Sequence, residues 1–207
     1  MGALPTPFTQ QDVELVDRQV AFRGFFTIEK LTLRHRRFNG EWLGPFQREL
    51  FRRGEAVGVL LFDPQRQQVV LTEQFRVGAL RDQRSPWLLE LVAGMVEEGE
   101  DYADVAQRET LEEAGSEFYQ LIPICDYWVS PGGCDEKVML YCGLVDSSNM
   151  GGVHGLDEEH EDIRLVTLTL DQAWQALDDG SMNNAATIIA MQWLRLNQER
   201  LLSELTR

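Results

Sequence analysis

Hydrophobic positions along the chain alternate or cluster in short runs first and take up helical spacing later. Residues 20–38 hold Phe25, Phe26, Thr27, Ile28 and Leu31, types that suit a pleated surface. The Asn39-Gly40 pair after them is a hairpin turn signal, and Arg48 to Phe51 resumes a short strand. This stretch reads as a small β-meander, separable from the rest of the chain. From Ala56 the pattern strengthens. Val57–Phe62 and Val69–Phe75 are predicted strands about the turn Asp63-Pro64-Gln65-Arg66, and Trp87–Val92 is a third apolar run. Ala93-Gly94 then opens a loop rich in Gly and Glu. Tyr102–Ala114 is predicted as a helix, with Asp101 as N-cap and Gly115 as its stop. Its apolar side is Ala103, Ala106, Thr110 and Ala114, small enough to lie close against a sheet, with Glu109, Glu112 and Glu113 on another side. Strands come next at Leu121–Val129, Lys137–Val145 and Leu165–Leu170, then a short helix over Asp171–Asp178 and a long amphipathic one over Ala185–Leu205. Strands mixed with helices after the central run predict an α/β or α+β layered domain. The segment Asp146–Asp162 has almost no apolar content, and loops of that length are functional or disordered.

Length and composition narrow the class. The chain has 207 residues, 43% hydrophobic and 26% charged, which fits one substantial domain with a small appendage. It contains no run long and apolar enough for a transmembrane helix. The N-terminus has neither a basic n-region nor an apolar h-region, so the expected compartment is the cytoplasm. Cys125, Cys134 and Cys142 form no C-x-x-C pair and read as reduced structural thiols. His35, His154 and His160 lack metal-ligand spacing. A net charge of −15 argues against nucleic acid or an anionic membrane as partner.

The acidic residues are concentrated, from Glu97 to Glu117 and from Asp157 to Asp162. On the predicted helix, Glu109 and Glu113 are i,i+4 neighbours and Glu109 and Glu112 are i,i+3 neighbours. Like charges at such spacing destabilise a helix by roughly 0.2–0.5 kcal/mol per pair, and carboxylates in a last turn oppose the helix dipole. Arg108 offsets only part of this. A solvated acidic face is the ordinary explanation of such a run. A divalent cation would instead turn the arrangement into an asset, since clustered hard oxygens suit Mg²⁺ or Mn²⁺.

Spacing is more specific than charge. Gly94, five residues, Glu100, seven residues, Arg108-Glu109, two residues, Glu112-Glu113, Ala114 and Gly115 resemble the Nudix box, G-x5-E-x7-R-E-U-x-E-E-x-G-U, at every fixed position. Thr110 and Ser116 depart from its apolar U positions. The likeness extends to Arg23-Gly24-Phe25-Phe26, Phe38-Asn39-Gly40, Glu73-Gln74-Phe75-Arg76, Pro86-Trp87-Leu88-Leu89-Glu90, Val92-Ala93-Gly94-Met95, Ser130-Pro131-Gly132-Gly133, His154-Gly155-Leu156 and the segment from Asn184 to Trp193. Together these are similar to the bacterial ADP-ribose pyrophosphatases of the Nudix family, over roughly Val13 to Leu201. Pro131, sixteen residues past Gly115, stands where that subfamily has its diagnostic proline.

The resemblance implies an αβα sandwich with a mixed sheet over 55–207 and an N-terminal antiparallel β-domain over 1–54 exchanged across a homodimer. It implies Mg²⁺ as cofactor, two or more ions per site, with Mn²⁺ able to substitute. The carbonyl of Ala93 and the carboxylates of Glu109, Glu113 and Glu161 would bind metal, and Glu112 would touch a metal or its water. Phe25, Arg48, Arg76 and Met95 would contact the substrate, with Ser130 doing so from the partner subunit. Glu159 would be the general base; His160 is the alternative, because its unperturbed pKa suits that work. The implied substrate is a nucleotide sugar, ADP-ribose first, with ADP-glucose or GDP-mannose as the rival reading and a non-catalytic ligand sensor as a third. Intact Glu109, Glu112 and Glu113 argue against the sensor.

Overall fold

The computed structural model describes residues 8–156, 158 and 160–204, and the chain divides into two compact units. The first comprises the chain up to Gly54 together with Trp128–Glu136. Strands β1 (Val13–Arg23), β2 (Thr27–Arg36) and β3 (Trp42–Arg52) form an antiparallel three-stranded sheet in that order. The first strand starts well before the expected residue 20, and a turn closed by the Gly24 N–H on the Phe26 carbonyl (2.9 Å) splits the expected run. Register shifts at Leu15/Asp17 and Val20/Phe22 explain why. Each bulge adds a residue and inverts the alternation, so Val13, Leu15, Val16, Val20 and Phe22 show no steady period of two. The distant segment is tied in by the Asp135 carboxylate, which accepts from the Arg53 N–H at 2.6 Å, and by an Arg53–Glu136 ion pair at 2.8 Å.

The second unit is Glu55–Tyr127 with Lys137–Arg207. It contains β4 (Glu55–Asp63), β5 (Gln68–Phe75), β6 (Trp87–Glu90), β7 (Val92–Val96), α1 (Tyr102–Ala114), β8 (Gln120–Trp128), β9 (Lys137–Leu144), β10 (Val153–His154), β11 (Ile163–Thr169), α2 (Leu170–Asp178) and α3 (Ala185–Glu204). The sheet order is β10-β11-β5-β4-β9-β8. Pairing of β4 with β9 is parallel and with β5 antiparallel, so the sheet is mixed. On β4, Val57, Val59 and Leu61 join the core under α1, whereas Leu60 and Phe62 join the core under α2 and α3. This alternation is the period of a strand buried on both faces. The result is a helix–sheet–helix sandwich. None of its helices is long and apolar enough to cross a membrane among the described residues.

Four local expectations change. The run Trp87–Val92 is not one strand: β6 pairs with β5 and β7 with β4, and the chain changes neighbour at Leu91. The Leu91 carbonyl that this break releases accepts from the Thr72 hydroxyl at 3.2 Å. Gly94 therefore lies inside a strand and not in a loop. Ala103 of α1 is exposed, while Glu109 and Glu113 share the buried face with Val105, Ala106, Thr110 and Ala114. The helix itself runs as expected, capped by the Asp101 carboxylate on the Ala103 N–H. The segment Asp146–Asp162 carries the short strand β10, whose Val153 and His154 pair with Arg164 and Ile163.

A buried carboxylate latches β4 to the end of β9. Asp63, 1% exposed, accepts from the Gln65 and Arg66 N–H groups and from both the N–H and the hydroxyl of Ser147, at 2.8–2.9 Å. Burial pushes its pKa up, and these hydrogen bonds with Arg66 and Ser147 outweigh burial and hold it below the ordinary 3.8. A depressed acid stabilises the fold above its unfolded pKa and loses that contribution as pH falls through the folded value. Asp63→Asn is expected to destabilise the protein by about 1–3 kcal/mol at neutral pH and to flatten its acid denaturation below about pH 4. Urea melts across pH 2.5–7 check both; an unchanged acid limb overturns the assignment.

Candidate active site

The site grows from the contact of α1 with β7. A Cβ built on Gly94 would lie 2.0 Å from Glu109 Cδ and 2.4 Å from its Cγ. A side chain here would have to displace that of Glu109, so glycine at the first position of the spaced motif is the steric requirement for this carboxylate to lie against β7. The helix ends at Gly115, whose left-handed backbone (φ 58°) returns its N–H to the Leu111 carbonyl. Thr110, one of the two polar departures from the motif, is fully buried, and its hydroxyl donates to the Ala106 carbonyl at 2.7 Å. Its polarity is thereby satisfied within the helix.

Two carboxylates go into this packed face. Glu113 is 3% exposed and accepts from the Ala93 N–H at 3.2 Å. Burial drives its pKa up to about 8; the Ala93 N–H and Arg76 oppose this, while the charges of Glu109 and Glu161 add to it. Glu109 is raised to about 7, again first by burial, against the Arg108 guanidinium at 2.7 Å and with Glu112 and Glu161 adding repulsion. Arg108 also reaches Glu112 at 3.5 Å, and Glu112 is partly exposed. Glu161 is held at the Leu156 backbone, its N–H on the Leu156 carbonyl at 3.2 Å and its carboxylate accepting the Leu156 N–H at 3.4 Å. The fold therefore groups Ala93, Glu109, Glu112, Glu113 and Glu161 in one neighbourhood.

Arg76 belongs to the same group. It comes directly after β5, and its Nε lies 2.6 Å from Glu90 Oε2 on β6. Glu90 is a partner to which the sequence alone assigns no role. Its signal lies in the strand pairing, which sets Thr72 opposite Glu90. Met95 is next to Gly94 on β7 and is 46% exposed. Phe25, Arg48 and Ser130 belong to the first unit. Phe25 is exposed and packs edge-on against Phe26 at 4.7 Å. The Arg48 guanidinium lies 4.7 Å over the Phe46 ring. Ser130 opens a tight turn, its carbonyl accepting from Gly133 and Cys134 at 3.1 and 3.0 Å. Glu159 lies outside the described residues.

The donor set fits a hard divalent cation. Burial first and mutual repulsion second raise the pKa values of the two carboxylates, Arg108 offsets only part of this, and a cation would favour their charged forms. Among the described residues no three Asp, Glu, His or Cys side chains converge on one point. Mg²⁺ does not require this, since it binds through one or two carboxylates and completes its shell with water and substrate phosphates.

A NUDIX domain model matches residues 52–194. The chain belongs to the Nudix family. Among its relatives, an ADP-ribose pyrophosphatase of Escherichia coli (strain K12) is 45% identical over 201 residues, 97% of this chain and 96% of the relative. An ADP-ribose pyrophosphatase of Haemophilus influenzae is 44% identical, over 94% and 91%. A solved structure described as an ADP compounds hydrolase matches with a TM-score of 0.66 at 21% identity, over 92% of this chain and 98% of that one, which shows the fold.

The Gly94 contact makes a direct prediction. In Gly94→Ala the methyl group must displace Glu109 or lift α1 from β7. The expected cost is about 1–3 kcal/mol of stability, and a misplaced carboxylate lowers activity by about 100-fold or more. Thermal melts and hydrolysis rates across an Mn²⁺ titration measure both; wild-type metal affinity in this variant would refute the steric requirement.

Proposed function

We propose that this Nudix protein hydrolyses the diphosphate bond of ADP-ribose to AMP and ribose 5-phosphate, with two or more Mg²⁺ ions per site, or Mn²⁺ in their place. The carrying observation is the group of Glu109, Glu113 and Glu161 beside Arg76, in a chain with full-length similarity to ADP-ribose pyrophosphatases. Other ADP-sugars are secondary substrates.

The Ala93 carbonyl and the carboxylates of Glu109, Glu113 and Glu161 would hold the metal, with Glu112 beside them. Bound there, the ions neutralise the diphosphate oxygens and lower the pKa of the attacking water. Their charge would also let a chain of net charge −15 accept an anionic substrate. Arg76, braced by Glu90, gives the diphosphate a fixed guanidinium donor. Arg48 and the exposed Phe25 and Met95 contact the rest of the substrate. Glu159 accepts the proton from the water, since carboxylates committed to metal are poor proton acceptors.

The N-terminal sheet serves a homodimer in which this unit is exchanged and the partner subunit's Ser130 reaches the substrate. Support comes from β1, where Val13, Leu15, Val16, Val20 and Phe22 are each about half exposed, between 49 and 59%. An apolar strand of this kind marks an interface in a soluble protein.

Hydrolysis rates across a panel of nucleoside diphosphate sugars with Mg²⁺ test the substrate. ADP-ribose is expected to have the highest kcat/KM, and EDTA to abolish turnover; preference for GDP-mannose or for a nucleoside triphosphate overturns the reading. Glu113→Gln should lower activity by orders of magnitude. Glu159→Gln should lower kcat by about 10²–10⁴-fold with substrate affinity nearly intact; a crippled His160→Ala beside a near-normal Glu159→Gln reverses the choice of base. Sedimentation at assay concentration is expected to show a dimer, and an active monomer refutes the exchange.

A further inference from the structure

Among the described residues, two buried side-chain polar atoms have no hydrogen-bond partner, Glu29 Oε2 and Gln74 Nε2. The first is compensated by charge, because Arg18 and Arg52 lie 3.3 and 3.9 Å from it. The second has no such compensation. Gln74 is 6% exposed, and a buried amide donor without an acceptor is a standing loss of stability that folded proteins avoid.

Its place on β5 says what it faces. Val70 belongs to the core under α1, whereas Val69 and Leu71 belong to the core on the opposite side. Alternation carries Thr72 and then Gln74 onto the α1 side. The β5–β6 register sets Gln74 opposite Leu88 and Thr72 opposite Glu90, so Gln74 is the diagonal neighbour of Glu90, the residue that braces Arg76. Arg76 acts in turn on Glu113. Two carboxylates of this face have donors other than Gln74: Glu90 takes Arg76, and Glu113 takes the Ala93 N–H. The amide and the guanidinium are thus two donors, two residues apart and about 7 Å along the strand, on a face otherwise lined by carboxylates. A ligand rich in acceptor oxygens and spanning such a distance matches them.

We infer that Gln74 is a substrate-binding residue whose side-chain Nε2–H donates to an anionic oxygen of the bound diphosphate. It complements Arg76 without adding charge. This rests on the reading of the site as one for nucleoside diphosphates. It does not depend on which base or sugar is attached, and it adds a second, uncharged donor to the one assigned to Arg76.

The test compares Gln74→Met, which keeps length and apolar volume, with Gln74→Glu, which keeps shape but replaces the donor by a carboxylate. Binding of the α,β-methylene analogue of ADP-ribose with Mg²⁺ is measured by calorimetry, alongside ligand-free thermal melts and steady-state kinetics. Gln74→Met is expected to bind the analogue about 10–100-fold more weakly, as for a lost hydrogen bond to a charged group, with a melting temperature at or above wild type. Gln74→Glu should bind it more weakly still. Wild-type affinity in Gln74→Met, with or without a lower melting temperature, overturns the inference and makes the amide a packing group. If the wild-type enzyme prefers another nucleotide sugar, the substrate reading fails by itself. The same variants are then measured for KM on that compound, where a rise supports Gln74 and no change removes it.

Discussion

Burial of two like-charged carboxylates on the packed face of α1 is the constraint around which this site is organised. Glu109 and Glu113 stand at i,i+4 on the side of the helix that also carries Ala106, Thr110 and Ala114. An ordinary surface helix would turn them to solvent. Here the absence of a side chain at Gly94 brings β7 against Glu109, and the Ala93 N–H engages Glu113. Burial then raises the two groups to about 7 and 8. The helix holds a local electrostatic strain that its own arginine, Arg108, only partly offsets.

The sheet supplies the counterpart through its division beside β4. One edge of β4 pairs with β5 at Leu61–Asp63 and with β7 at Glu55–Val59, and the two branches carry different chemistry. The β5–β6 branch brings nitrogen donors, Arg76 and Gln74, with Glu90 as brace. The β7 branch brings backbone at Ala93 and clearance at Gly94. One branch thus supplies the donors, while the other makes room for the carboxylates that α1 presents. The Thr72 hydroxyl on the Leu91 carbonyl closes the break that the division leaves.

The N-terminal unit obeys a different rule. Its strands are bulged and largely open to solvent in a single chain, and Glu29 is its one strongly buried acid among the described residues, faced by Arg18 and Arg52. Its Phe25 is exposed and Arg48 stacks on Phe46.

Much of this was legible before any coordinates. The helix Tyr102–Ala114 was readable from its caps and ending, Asp101 and Gly115, because capping depends on local backbone groups. The strands β4 and β5 were readable because a turn such as Asp63–Arg66 and apolar runs are local signals. The identity of the carboxylates was carried by spacing. What the linear chain did not contain was facing and pairing. That Glu109 and Glu113 go inward, that Gly94 sits within a strand, that Leu91 divides one apolar run into two strands, and that Trp128–Glu136 joins the N-terminal unit all depend on contacts between residues distant in sequence. The bulges of β1 hid its period for the same reason, since a register shift is defined only against a partner strand. Composition and spacing by themselves determined which chemical groups this protein has and which family pattern they match. Only the tertiary structure decided which of those groups are buried together, because burial and electrostatic coupling arise from packing across elements that the sequence separates.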